Sequence, residues 1–158
     1  MDYGKIMNEK GYCVVDLTVD EPLIGRAISS KYTIIAVCLE GFVEFEINLE
    51  RIKATKGIRF AFPHVSMLTT LSVSPDFHAW VLVLDDRFAY EASIGLDADL
   101  MQTIFGNTMR TVDDEKEWKM LLTLIDGLNQ YQTFPMSVYT SQVCGSLFRN
   151  ILMILSEK

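Results

Sequence analysis

From Val43 to Glu50 the chain alternates without a break: Val43, Phe45, Ile47 and Leu49 are apolar, and Glu44, Glu46, Asn48 and Glu50 are polar or charged. Successive side chains of a strand point to opposite faces, so this predicts a strand within 42–52 that is apolar on one side and wet on the other. Lys56 and Gly57 follow as a turn, and 58–62 forms a short run that Pro63 ends by removing a ladder donor. Further runs at 12–19, 32–39, 67–73 and 77–84 are separated by turn residues, which predicts a small antiparallel barrel. The segment 33–39 is almost continuously apolar and fits a strand covered on both faces.

The pattern changes period after Asp85. Short helical stretches fall at 87–93 and 97–105, the second ended by Gly106 and Asn107. Two longer helices follow. Asp113 or Asp114 can cap the first, whose Trp118, Leu121, Leu122, Ile125 and Leu128 recur at helical spacing. Pro135 breaks the chain, and Ser137 can cap the last helix. There Tyr139, Val143, Leu147, Ile151 and Leu155 form a row four residues apart, with Cys144, Phe148 and Leu152 beside it. That stripe is wide for a surface helix, so Val143, Leu147, Ile151 and Leu155 are the expected interface of a homodimer. With no linker or repeat between the halves, the expected organisation is one α+β unit. A barrel at 1–84 carries a helical dimerisation and transmission segment at 85–158.

Composition narrows the function classes. The chain has 158 residues, 49% of them hydrophobic, enough for one domain with its own core. Its 14 basic and 21 acidic residues give a net charge of -7 with no basic cluster, so the chain alone is a poor partner for nucleic acid. No apolar run has the length of a signal peptide or a membrane span, and a soluble, cytoplasmic protein is expected. Cys13, Cys38 and Cys144 lie far apart among apolar neighbours and read as buried thiols rather than a disulfide or metal framework.

The Leu39-Glu40-Gly41 turn, the alternating strand, the spacing from Gly57 to Pro63 and the helical pair resemble the cupin-type N-terminal sensor and dimerisation domain of AraC-family transcription regulators. The strongest local pieces are CLEGFVEFEI and GIRFAFP. The resemblance covers nearly the whole chain and implies a double-stranded β-helix, or jelly-roll, barrel followed by a C-terminal helical pair. It also implies an arm formed by 12–20 over the barrel mouth. Aligned on Gly41 and Gly57, the metal-binding cupin pattern would put a Glu at Ile34, histidines within 27–30 and at Leu68, a Gly at Val65 and an Asn at Ser72. Ile, Ala, Ser and Leu supply no ligand set, so no metal or other cofactor is expected.

A barrel without metal can still enclose a small molecule. Phe45, Phe60, Phe62, Met67, Thr69 and Trp80 are the candidate lining, joined by the two histidines, His64 at the barrel rim and His78 on the last strand. No catalytic residue is assigned, because neither histidine has a nucleophile placed beside it. The expected function is ligand sensing and dimerisation for a regulator. Its partners are an unidentified small-molecule effector and a second copy, and DNA is reached only through a helix-turn-helix domain that this chain lacks. A metal-independent cupin-like enzyme and a purely structural dimerisation module are the alternatives. The end of the sequence directly after the apolar ILMIL run favours a domain excised from a longer regulator over a stand-alone relative that binds a ligand without DNA.

Overall fold

A strand that is apolar on both faces requires cover on both sides, and this requirement organises the fold. The computed structural model describes residues 1–19, 27–47, 49–62, 65–106 and 109–156, with the side chains of 27–30 and 65–67 excepted. In chain order the elements are α1 (Tyr3–Lys10), β1 (Tyr12–Thr18), β2 (Ala27–Ser30), β3 (Thr33–Glu40), β4 (Phe42–Ile47), β5 (Glu50–Thr55), β6 (Ile58–Phe62), β7 (Val65–Val73), β8 (His78–Leu84), α2 (Asp86–Ser93), α3 (Ala98–Gly106), β9 (Met109–Thr111), α4 (Glu115–Tyr131) and α5 (Val138–Leu155).

The strands form two antiparallel sheets. One has the order β1-β8-β3-β6-β9 and the other β2-β7-β4-β5. From β1 to β8 every connection except β4 to β5 crosses from one sheet to the other, the winding of a jelly roll. Among the described residues the strand pairings stay within each sheet, and none of them closes the two sheets into the expected barrel.

Two cores result. Between the sheets lie Ala36, Cys38, Val43, Phe45, Ala54, Phe60, Phe62, Phe77 and Ala79. On the other side of the five-stranded sheet, Tyr12, Val14, Ile35, Val37, Ala61, Leu82 and Leu84 meet Leu121, Ile125, Leu128, Cys144, Phe148, Ile151 and Leu152 from the helices. Even-numbered residues of β3 therefore face the opposite sheet and odd-numbered ones face the helices. Both segments of the chain, 1–84 and 85–158, contribute to the second of these cores.

Local chemistry explains most boundaries. Asp114 caps α4, its carboxylate accepting from the backbone N–H groups of Lys116 and Glu117, and Ser137 caps α5 by accepting from Thr140 N. The expected strand over 42–52 is a hairpin instead. Ile47 pairs with Glu50, and Leu49, 93% exposed with φ 70°, stands in the turn although it completes the apolar alternation. The helix α1 is absent from the sequence expectation because Ile6 is its one buried apolar residue. Its Asp2 N-cap and its left-handed Gly11 C-cap were the available signals.

Gly41 and Gly57, the two anchors of the sequence pattern, both have positive φ, 71° and 89°. They differ in what surrounds them. A Cβ at Gly41 would collide with the Ser74 hydroxyl and lie 2.6 Å from Asp76 Oδ1 and 2.9 Å from Phe77 N, whereas one at Gly57 would meet nothing within 4 Å. Ser74 cannot yield, because its Oγ accepts from Phe42 N at 2.8 Å. Gly41→Ala is therefore expected to cost upwards of about 3 kcal/mol, and Gly57→Ala about 1 kcal/mol of backbone strain alone. Urea denaturation of both variants checks this, and equal losses would contradict it.

Candidate functional site

Three of the expected ligand-contacting residues meet between the sheets. Phe45 of β4 stands edge-on to Phe60 and Phe62 of β6, with ring centroids 5.0 Å and 6.2 Å away, while Phe60 and Phe62 stack at 6.1 Å. All three are at most 7% exposed. Small residues beside Phe60 and Phe62 in the same sheet, Ala36, Cys38 and Ala79, leave the room that the rings fill. Ile34 and Leu68, at positions where the metal-binding pattern would place ligands, pack against the same cluster as apolar side chains. Among the described residues no group of His, Cys, Asp or Glu is arranged to hold a metal ion.

The other candidates are elsewhere. Trp80 packs against the helix-facing core, on the far side of the sheet from Phe45. It shares a face with His78, Leu82 and Leu84 as alternation requires, but that face looks at the helices. His78 Nε2 pairs with Asp16 on β1, at the sheet's half-exposed end. Thr69 lies opposite Glu46, so it belongs to the outer face of its sheet, and the buried Thr70 lies opposite Phe45. The register shift in β7 between Ser72 and Thr70 exchanges the two faces. Met67 is in β7 with its side chain outside the described residues, and His64 lies outside them altogether, as does the end of the expected arm at Asp20.

The expected dimer residues also divide. Ile151 and Leu155 are buried in the chain's own core, and Leu147 packs towards Gly127 of α4, where a Cβ would come within 3.2 Å of its Cδ1. Val143 alone is on the surface, 36% exposed. A row spaced by four residues drifts around the helix by about 40° at each step. It starts outside at Tyr139, 80% exposed, and ends inside at Leu155.

The outward face of α4 and α5 is lined by different residues. A groove of about 540 Å³ runs between them, bordered by Lys119, Met120, Thr123, Leu124, Met153 and Ile154. Met120 is 58% exposed and Met153 39%. Among the 18 residues of α5, Arg149 is the one charged side chain, and it donates to the Ile94 carbonyl.

A polar seam that the sequence reading missed joins the helices to the sheet. The Gln132 amide, 1% exposed at the end of α4, accepts from Val14 N at 2.8 Å and donates to Val14 O at 3.1 Å and to Asn129 Oδ1 at 2.8 Å. It thus occupies the edge of β1 as a neighbouring strand would. Two residues earlier in β1, the Tyr12 hydroxyl donates to Leu128 O at 2.8 Å and accepts from the Cys144 thiol at 3.4 Å. Two residues earlier again, the buried Lys10 ammonium donates to Phe134 O at 2.6 Å, beside the carbonyl end of α4. Arg59 is a fourth buried polar group, 1% exposed on β6, donating to Ile104 O of α3 at 3.0 Å. Burial, and then the nearby Arg110, push its guanidinium below the ordinary value. Its signal was a lone charge inside an apolar run of five.

No protein-family model matches the chain, and no curated protein is a match. Solved structures do share its fold. The AraC-like transcriptional activator CuxR superposes with a TM-score of 0.58 at 9% identity, over 94% of this chain and 53% of that one. An apo form of ToxT from Vibrio cholerae strain SCE256 superposes with a TM-score of 0.54 at 10% identity, over 89% of this chain and 54% of that one. At these identities the likeness is one of fold, and the chain spans about half the length of each.

Two outcomes follow from the buried polar groups. Gln132→Leu would strand the Val14 N–H and C=O and is expected to cost about 2–4 kcal/mol, against about 1 kcal/mol for Tyr12→Phe, since Leu128 O still accepts from Gln132 N. Chemical denaturation of the two variants measures the difference. Burial pushes the thiols of Cys13 and Cys38 up to about 11 from 9.0, so the fold favours their neutral form. That stability is whole below about pH 9 and declines as pH rises towards 11, which melting curves across this range would register.

Proposed function

We propose that this chain is the ligand-sensing and dimerising half of an AraC-like transcription regulator, cytoplasmic and without catalysis of its own. The observation that carries the reading is the fold that nearly the whole chain shares with about half of an AraC-like transcriptional activator. DNA is then the business of a helix-turn-helix domain outside this sequence, in keeping with a net charge of -7. Among the described residues no helix is long and apolar enough to cross a membrane.

In this mechanism a small molecule changes how the sheets sit against the helices, and α4 and α5 carry the change to a second copy. The seam at Lys10, Tyr12 and Gln132 supports such a route, because a shift of β1 cannot leave the end of α4 where it was. The outer α4–α5 face is the surface offered to the second copy. It carries Met120, Leu124, Val143 and Met153, and the one charged side chain of α5, Arg149, lies in the cleft towards α2 rather than in the α4–α5 groove. About 27 Å long and roughly 20 Å wide, with side-chain relief it approaches the ~800 Å² per partner of a stable pair.

Sedimentation equilibrium is expected to give a dimer for the wild type and a folded monomer for Met120→Glu combined with Met153→Glu. In parallel, a thermal-shift screen of sugars, organic acids and other small metabolites should find a compound that raises Tm. A monomeric wild type with no responding compound would end this reading. A dimer with no response would leave only a structural module, and turnover of a compound would point to an enzyme.

A further inference from the structure

The rings of Phe45, Phe60 and Phe62 occupy the space between the sheets where an effector was expected, which turns attention to the clefts outside it. One of about 320 Å³ lies between α2 and α5. Its α2 wall is Phe88, Glu91 and Ala92, three and four residues apart on one face. Its α5 wall runs from Ser141 and Gln142 through Gly145 and Ser146 to Arg149, again on one face.

Three features of this cleft point to a ligand. Arg149 donates to Ile94 O at 2.5 Å, which fixes its guanidinium at the cleft wall with donors to spare. Glu91 on the facing helix makes its ion pair with Arg87, at 3.9 Å, and none with Arg149, so the two walls of the cleft carry opposite charges that are not paired with each other. Among the described residues the side chains of Ser141, Gln142 and Ser146 make no hydrogen bond to the protein.

Gly145 supplies an independent argument. A glycine inside a helix costs about 1 kcal/mol relative to alanine. Gly127 has a packing reason, the close approach of Leu147, but a Cβ at Gly145 would meet nothing within 4 Å. Folding alone gives no reason for a glycine here. Its place in the cleft does, because a side chain at Gly145 would project into the cleft.

We propose that the α2–α5 cleft is the effector site and that it takes a small zwitterion of the free α-amino acid class. The carboxylate sits on Arg149, the ammonium faces Glu91, and the side chain lies along Phe88 and Ala92. The proposal rests on the sensor reading and gives it a location and a ligand class. The cleft is also wired to the seam. Phe88 packs on Tyr12 at 5.1 Å and on Phe148 at 5.5 Å, so a ligand pressing on that ring presses on the residue that bonds Leu128 O.

The test uses the whole chain and calorimetric titration with each proteinogenic amino acid, with the matched carboxylic acids and amines as controls. One or more amino acids should bind saturably, and removing either the ammonium or the carboxylate should weaken binding by about tenfold or more, the scale of a lost charge-assisted hydrogen bond. Gly145→Leu should keep or raise Tm while abolishing binding, and Arg149→Gln should weaken it comparably. Binding that survives Gly145→Leu in a folded protein overturns the location. Failure of every amino acid to bind overturns the ligand class, even if the broader screen finds another responding compound and the sensor reading stands.

Discussion

A sheet with apolar side chains on both faces must be covered twice, and the five-stranded sheet of this protein is such a sheet. Val37 and Ile35 face the helices while Ala36 and Cys38 face the second sheet, and all four are at most 8% exposed. Neither cover is optional. Without the second sheet the phenylalanine cluster loses its floor, and without α4 and α5 the residues Tyr12, Leu82 and Leu84 would face water. The cross-sheet winding, the docking of the helices and the polar seam all serve this one requirement.

The same constraint explains which parts of the molecule were legible in the sequence. Period-two alternation tells which residues share a face, and it grouped His78, Trp80, Leu82 and Leu84 correctly. It does not tell which face is the interior when both are buried, and so Trp80 was assigned to the wrong core. Thr69 was misplaced for another reason. Val73 points inward, but the irregularity in β7 shifts the count, so that Thr70 and Leu68 continue the inward row. The caps of α4 and α5 were readable because a capping side chain acts within three residues of its own position.

What could not be read is what joins distant segments. Nothing local marks Gln132 as an amide that will serve as a strand for Val14. Nor does anything beside Lys10 in the sequence mark its ammonium for burial against Phe134 O. The candidate ligand site shares this character, since Glu91, Gly145 and Arg149 belong to helices that only the tertiary fold brings side by side. The interface row on α5 failed through arithmetic, because steps of four outrun the helical period and carry the row from solvent into the core.

The seam also sets a timetable. Lys10, Tyr12 and Val14 bond to groups that follow them by 124, 116 and 118 residues. On a ribosome the first strand therefore emerges long before its edge partner exists, and β8, to which it pairs, arrives some sixty residues later as well. Contacts of such separation slow folding, because the loop they close must be ordered before they give anything back. Until α4 has been made, the edge of β1 is an open template, so nascent and truncated forms of this chain are where misassembly concentrates.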